Sequence, residues 1–459
     1  MRKKVKYVCE NCGYESIGYY GKCPECSSWN RMKEVAVDDK KGTKGTVRQE
    51  KRTIRRLKDI VSTNSDRIIT NINEFNRVMG GGIVRDSVTI LTAKPGAGKS
   101  TLLLQVANDL AKMDYRVLYA SGEESESQIK NRADRIIDTI HPNVWVVSDN
   151  SMDNVLEFIE EIDPDLIIID SIQTFILEDF PNSRAGSPTQ TMECANQLVK
   201  IAKNPNRPRA VILIGQMTKE DEIAGLRALE HLVDTVLIIE GESGEELRSL
   251  LTSKNRYGST GEMGFFYLTD KGMVSIDNPS EYFMTARDKD NLLPGSAITV
   301  LKEGTRPIIL EIESLVSNSF TPYPSRISEC LKREQLNTLV SIIEQRVGIS
   351  FYDKNVVVKT TGGIKLKEQA SNLAVVMSII SSVKNTPLAN DIVFIADVGL
   401  TGELKRVPSL EVRIKELDRM GFRKVYVAPN SGVDIKTNNL EIIQLRTLRE
   451  VIDNVFNHK

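Results

Sequence analysis

Histidine is scarce in this chain: 459 residues hold three, His141, His231 and His458. That scarcity argues against a Ser–His or Cys–His catalytic site, which needs an imidazole beside its nucleophile. Net charge is also lacking, with 61 Lys and Arg against 62 Asp and Glu. The whole chain therefore exerts no pull on an anionic partner, and any nucleic-acid surface must come from locally clustered cations. No stretch approaches the ~18 consecutive apolar residues of a membrane span. The basic start "MRKKVKYVCE" is not followed by the apolar core of a secretory signal. These absences point to a cytoplasmic protein without a membrane partner. Cysteine is rare too, six in all, yet four of them fall within the first 26 residues.

The rest of the chain separates into blocks. Residues 1–30 carry the cysteine pairs, and 31–65 form a basic linker. From Lys40 to Lys58 the linker has nine basic residues against one acidic residue, Glu50, the pattern of a solvated cationic spacer. Over 66–285 the near-continuous apolar runs "VTILTA", "RVLYAS", "LIIIDS", "AVILIG" and "TVLIIEG" read as buried parallel strands. They alternate with helix-spaced segments such as "KSTLLLQVANDLAKM" and "MECANQLVKIAK". The expected fold class is α/β, doubly wound. Residues 286–459 repeat the texture on a smaller scale, with "NVVVKTTGGI", "DIVFIADVGLTGEL" and "KVYVAP" as strands. The helices there are "KEQASNLAVVMSIISSVK" and "EVRIKELDRMGF".

Cys9 and Cys12, then Cys23 and Cys26, form two Cys-x2-Cys pairs. Each pair lets two thiolates reach one ion from a tight turn, and together they make a four-sulfur shell suited to structural Zn2+. Cys194 and Cys330 stand alone and read as packing residues. "LTAKPGAGKSTLLLQ" has the strand–loop–helix setting of a phosphate loop, although Ala93 takes the place of the usual first glycine. Ala93, Lys94, Pro95, Gly96, Ala97, Gly98, Lys99, Ser100 and Thr101 would cradle ATP. Backbone N–H groups and the helix N-terminus hold the phosphates, Lys99 reaches their outer oxygens, and Ser100 ligates Mg2+. Asp170 ends the strand "DLIIIDS" at the sheet edge where ligands gather, and it is the second candidate Mg2+ ligand. Glu123 and Glu124, side by side in "LYASGEES", are the candidates to orient the attacking water. Gln216 closes another strand ahead of a loop carrying Lys219 and Arg227. Read alone, that stretch is a strand-to-helix connection; in a RecA-type ATPase it couples γ-phosphate sensing to DNA contact.

These motifs in this order, with "SGEES", "IDSIQT", "TKE" and "KNRYG", resemble the bacterial RadA/Sms family. The likeness extends through "LLPGSAITVLKEGTRPIILEIESLV" and "VGLTGELKRVPSLEVRIKEL", and so covers nearly the whole chain. It implies an N-terminal four-cysteine zinc finger, a RecA-like P-loop ATPase core and a C-terminal Lon protease-like α/β domain. Such proteins are DNA-dependent ATPases of recombinational repair. The resemblance therefore implies a homo-hexameric ring on single-stranded and branched DNA that drives branch migration, with the RecA recombinase as a partner. It selects Glu123 over Glu124, assigns Lys219 to a second DNA loop and puts Arg184, in segment 172–190, in the first. The chain departs from the family at Gln216, Asp221, Leu226 and Tyr257, where histidine, glycine, proline and phenylalanine are usual. Two rival readings are a nucleotide-switched DNA-binding module, against which Glu123 argues, and a Lon-type peptidase. However, Ala370 stands at the nucleophile position, with Ser371 one residue away, and Glu411 stands where the lysine base is required.

"LLTSKNRYGST" holds two cations with no acid, metal cluster or phosphate loop beside them. Alone it is an exposed basic strand end. In a ring, Arg256 becomes an arginine finger for the neighbouring subunit's ATP, worth ~10³-fold or more in rate, with Lys254 as its companion. Residues two apart on an extended strand share a face, which would aim both cations the same way.

Overall fold

The computed structural model describes residues 67–216, 225–241, 244–285, 292–429 and 435–457, the side chains of 225–227 excepted. Before residue 67 it describes the strands Val5–Cys9, Glu15–Ser16 and Met32–Ala36 and a few single residues. The chain divides into two compact units, residues 1–63 and 64–459. In the first unit the three strands form one antiparallel sheet with Val5–Cys9 in the centre. Only the backbone of Cys9 is described there, and Cys12, Cys23 and Cys26 lie outside the described residues.

The second unit is built on two sheets. The larger has nine strands. From one edge they are Gly272–Ser275, Met263–Thr269, Leu247–Asn255, Thr235–Glu240, Val88–Ala93, Ala210–Gln216, Leu166–Asp170, Val117–Ser121 and Val144–Ser148. The last six run parallel and the first three antiparallel. All five apolar runs are strands of the parallel part. Every residue of Val88–Ala93 is buried, as a strand covered by helices on both faces must be. The antiparallel extension is less legible because its strands alternate: Leu247–Asn255 buries every second side chain over most of its length. Helix starts follow local chemistry. Ser125 and Gln128 close a reciprocal capping box on Glu126–Ile136. Ser187 caps Pro188–Ala202, which has its proline in the first turn.

The smaller sheet has seven strands, in the order Arg326–Ser328, Lys354–Thr360, Arg306–Asn318, Ser296–Glu303, Ile392–Ile395, Lys424–Val427 and Glu441–Gln444. Across it lies the helix Asn372–Lys384, buried from Asn372 through Ser381. The position proposed as a domain boundary, 285/286, is crossed by one continuous core. Met263, Phe265 and Phe283 pack in the same cluster as Ile308, Leu310 and Leu373. Glu74, 2% exposed on the helix Asn73–Val78, accepts a 2.7 Å ion pair from Arg306 of the smaller sheet. Among the described residues no helix is long and apolar enough to cross a membrane.

Candidate nucleotide site

Four of the parallel strands end side by side in Ala93, Gln216, Asp170 and Ser121. Strand direction thus brings together residues as far apart in sequence as Ala93 and Gln216. Beyond Ala93 the chain turns through Gly96 and Gly98, both left-handed (φ 75° and 101°), before the helix Lys99–Ala111. Gly98 is its N-cap, and at that φ a side chain would be strained. Lys94, Pro95 and Gly96 are exposed, whereas Ala93 and Ala97 are buried. A buried Ala93 serves in place of a first glycine because it is still part of the strand. The Lys99 Nζ lies back across the loop, 3.1 Å from the Ala93 carbonyl. Thr101 continues the helix behind it.

Ser100 Oγ donates to Asp170 Oδ2 at 2.7 Å, and the Tyr119 hydroxyl donates to the same oxygen at 2.5 Å. Burial pushes the Asp170 carboxyl above the ordinary aspartate range, an effect opposed by these two hydrogen bonds. A hard oxygen pair converging on one point, with a carboxylate penalised for its charge, fits Mg2+. Ser100 and Asp170 would hold the ion, which would neutralise phosphate charge. Sequence reasoning missed Tyr119. Its place inside an otherwise apolar strand, where a hydroxyl needs a partner, was the available signal.

Glu123 and Glu124 have different surroundings. Arg132 grips Glu124 with both terminal nitrogens, at 2.5 and 2.6 Å. Glu123 faces the nucleotide edge, where Ser171 Oγ donates to it at 2.7 Å and Gln216 Nε2 at 3.0 Å. Gln173 bonds the main chain of Gln216 in both directions, at 3.3 and 3.4 Å. Gln216 therefore joins Glu123 on one side to the start of segment 217–224 on the other. Lys219 and Asp221 lie outside the described residues, as do the side chains of Leu226 and Arg227. Gly122 permits the close approach of strand ends here, since a Cβ on it would meet Thr174 Oγ1 at 2.2 Å.

Arg184 is exposed in the connection between Asp170 and the helix Pro188–Ala202. The buried Gln190 organises that connection. Its amide donates to the carbonyls of Leu177, Phe180 and Ser183 and accepts from Leu177 N.

Lys254 and Arg256 sit elsewhere. Asn255 pairs with Thr235, and Thr235 with Thr89, so the motif lies at the far end of the sheet from Ala93. Ala93 is four residue steps along the strand from Thr89, so the motif lies roughly 13 Å before the phosphate loop begins. Regular alternation does not carry through the motif. The register with Thr235–Glu240 shifts at Val236/Leu237, and the strand stops at Asn255. The Lys254 ammonium turns inward to the carbonyls of Glu230 and Val233, at 2.5 and 2.8 Å. These end the helix Gly225–Leu232, whose last carbonyls have no intrahelical partner and attract a cation. The Arg256 side chain is 53% exposed, and its guanidinium gives one bond, 3.2 Å, to the buried Asp234 carboxylate. Asn255 is buried against Met79, and Gly258 packs on Gly80.

The smaller sheet holds no peptidase pair. Ala370 and Ser371 are both buried, and Ser371 Oγ donates to the Glu368 carbonyl at 3.1 Å. Glu411 is exposed on the helix Leu410–Arg419 and pairs with Lys415. Among the described residues no lysine is hydrogen-bonded to Ser371. A cavity of about 860 Å³ opens nearby, in whose wall Asn372 and Asp397 bond to each other at 2.8 Å.

Comparison with known proteins agrees with this geometry. Residues 50–222 match the AAA domain family and residues 7–34 the rubredoxin metal binding domain family. The chain is 39% identical over 457 residues to DNA repair protein RadA of Bacillus subtilis (strain 168), covering 98% of each. It is 40% identical over 458 residues to DNA repair protein RadA of Streptococcus pyogenes serotype M3, covering 99% of each. The nucleotide edge is that of an ATPase using ATP and Mg2+. Aligned with such relatives from end to end, the chain belongs to the RadA family of DNA repair proteins.

Proposed function

We propose that this protein is a DNA-dependent ATPase of recombinational repair, working as a homo-hexameric ring on single-stranded and branched DNA. It promotes branch migration of recombination intermediates, with the RecA recombinase as a partner. One observation carries the ring: Arg256 is half exposed at the end of the sheet opposite the chain's own phosphate loop. A finger there serves another chain's ATP and not its own. Within a subunit, Lys99 contacts the phosphates, Ser100 and Asp170 hold Mg2+, and Glu123 orients the attacking water. Gln216 senses the γ-phosphate and relays its state to Lys219 and Arg227, while Arg184 contributes the first DNA loop. Cys9, Cys12, Cys23 and Cys26 hold one structural Zn2+, supported by the rubredoxin-type match over residues 7–34.

ATP hydrolysis measured with and without single-stranded DNA tests the motor, and absence of stimulation sinks it. Arg256→Ala is expected to lose stimulated hydrolysis by ~10³-fold while still binding nucleotide. Mixing it with Lys99→Ala should restore activity, because mixed rings contain complete interfaces. Metal analysis should find one zinc per chain, lost in Cys12→Ser.

A further inference from the structure

Asp234 is 1% exposed, and its carboxylate is the one Arg256 touches. Five hydrogen bonds hold this residue in place. Its Oδ1 accepts from Arg256 Nη1 at 3.2 Å and from Lys203 Nζ at 2.9 Å. Its Oδ2 accepts from Val88 N at 3.0 Å, and its carbonyl accepts from Arg256 N at 3.1 Å. Asp234 N in turn donates to the Val88 carbonyl at 2.8 Å. Val88 opens the strand that ends in the phosphate loop.

We propose that Asp234 is the positioning residue for Arg256, anchoring the finger to the first residue of the phosphate-loop strand. The inference rests on Arg256 acting in trans. A buried carboxylate is costly unless paired, and a turn between a helix and a strand does not need one. Here it takes one of the guanidinium's five N–H donors and leaves the others for an outside acceptor. Lys203 caps the helix Pro188–Ala202 and supplies the second cation. Asp234 thus remains compensated when Arg256 turns to a neighbour's phosphate. The finger offered to the next subunit and the loop holding the subunit's own ATP are two ends of one hydrogen-bonded strand.

Asp234→Asn separates the roles. Its amide oxygen still accepts from Val88 N, but its NH2 then faces Arg256 and Lys203, which are donors only. The variant is expected to bind an ATP analogue like the unmodified protein. Its DNA-stimulated kcat should fall by about ten-fold or more with KM for ATP unchanged. Combined with Arg256→Ala it should cost nothing further, since Asp234 acts through that residue. Mixing Asp234→Asn with Lys99→Ala should restore activity, because the defect lies at the neighbour's site. If Arg256→Ala is rescued by Lys99→Ala but Asp234→Asn is not, Asp234 acts only within its own subunit. The positioning role then falls while the ring stands. Loss of nucleotide binding by Asp234→Asn, or full activity, overturns it equally. If neither variant is rescued, the trans finger itself is wrong.

Discussion

Glu123 and Glu124 share a sequence context but not a chemical one. Arg132 holds Glu124 in a fork, with both side chains about a quarter to a third exposed. Glu123 receives only neutral donors, Ser171 and Gln216. Glu123→Gln is therefore expected to slow hydrolysis by ~10²–10⁴-fold with ATP binding retained. Glu124→Gln should leave the chemical step nearly intact and cost at most ~1 kcal/mol of stability. Single-turnover hydrolysis and urea titration of the two variants separate these outcomes. Asp170 carries an opposite tension. Its carboxyl is held above the ordinary range by burial, so folding with Asp170 ionised becomes less favourable as pH rises through that pKa. Asp170→Asn should accordingly raise the thermal midpoint at neutral pH without nucleotide. The same change should lower Mg2+-dependent hydrolysis by on the order of 10²-fold or more. A lowered midpoint would contradict the charge-penalty account.

At the scale of elements, the connection between Asp170 and Pro188 is long for a loop yet tightly organised, because one buried amide holds four of its backbone groups. Gln190→Leu keeps the volume and leaves those groups unpaired, at a cost of about 2–3 kcal/mol. It is expected to make the chain cleavable by protease between residues 178 and 187 and to weaken DNA stimulation, while ATP binding survives. Protection equal to the unmodified protein would remove Gln190 from this role. The helix Gly225–Leu232 is the complementary element. It follows segment 217–224 directly, and its terminal carbonyls hold Lys254.

At the scale of the molecule, one of several apolar clusters in residues 64–459 runs across position 285/286, packing Phe265 and Phe283 with Leu310 and Leu373. The ion pair of Glu74 with Arg306 is buried on both sides, at 2% and 13% exposure. Arg306→Ala leaves the Glu74 carboxylate only the longer Arg77 contact, at 3.6 Å, and the Phe265 N–H, and should cost up to about 3 kcal/mol. Calorimetry of the unmodified protein is expected to give one transition for this unit, and the variant should split it in two. A single unshifted transition in Arg306→Ala would mean that the shared apolar core alone holds the sheets together.

The parallel strands, the phosphate loop, Asp170 and the buried helix Asn372–Lys384 were legible because each is a local pattern. Continuous apolar runs, glycines ahead of Lys-Ser and helical spacing act over a few residues, where sequence and structure share one period. Only the tertiary structure gave Glu123 and Glu124 different partners, Arg132 for one and Ser171 with Gln216 for the other. It also brought Tyr119 onto Asp170, bonded Asp234 to Val88 from 146 positions away, and turned Lys254 inward while leaving Arg256 out. Those outcomes depend on which strand ends meet and which carbonyls lack a partner, and no window of sequence contains both halves of such a pair.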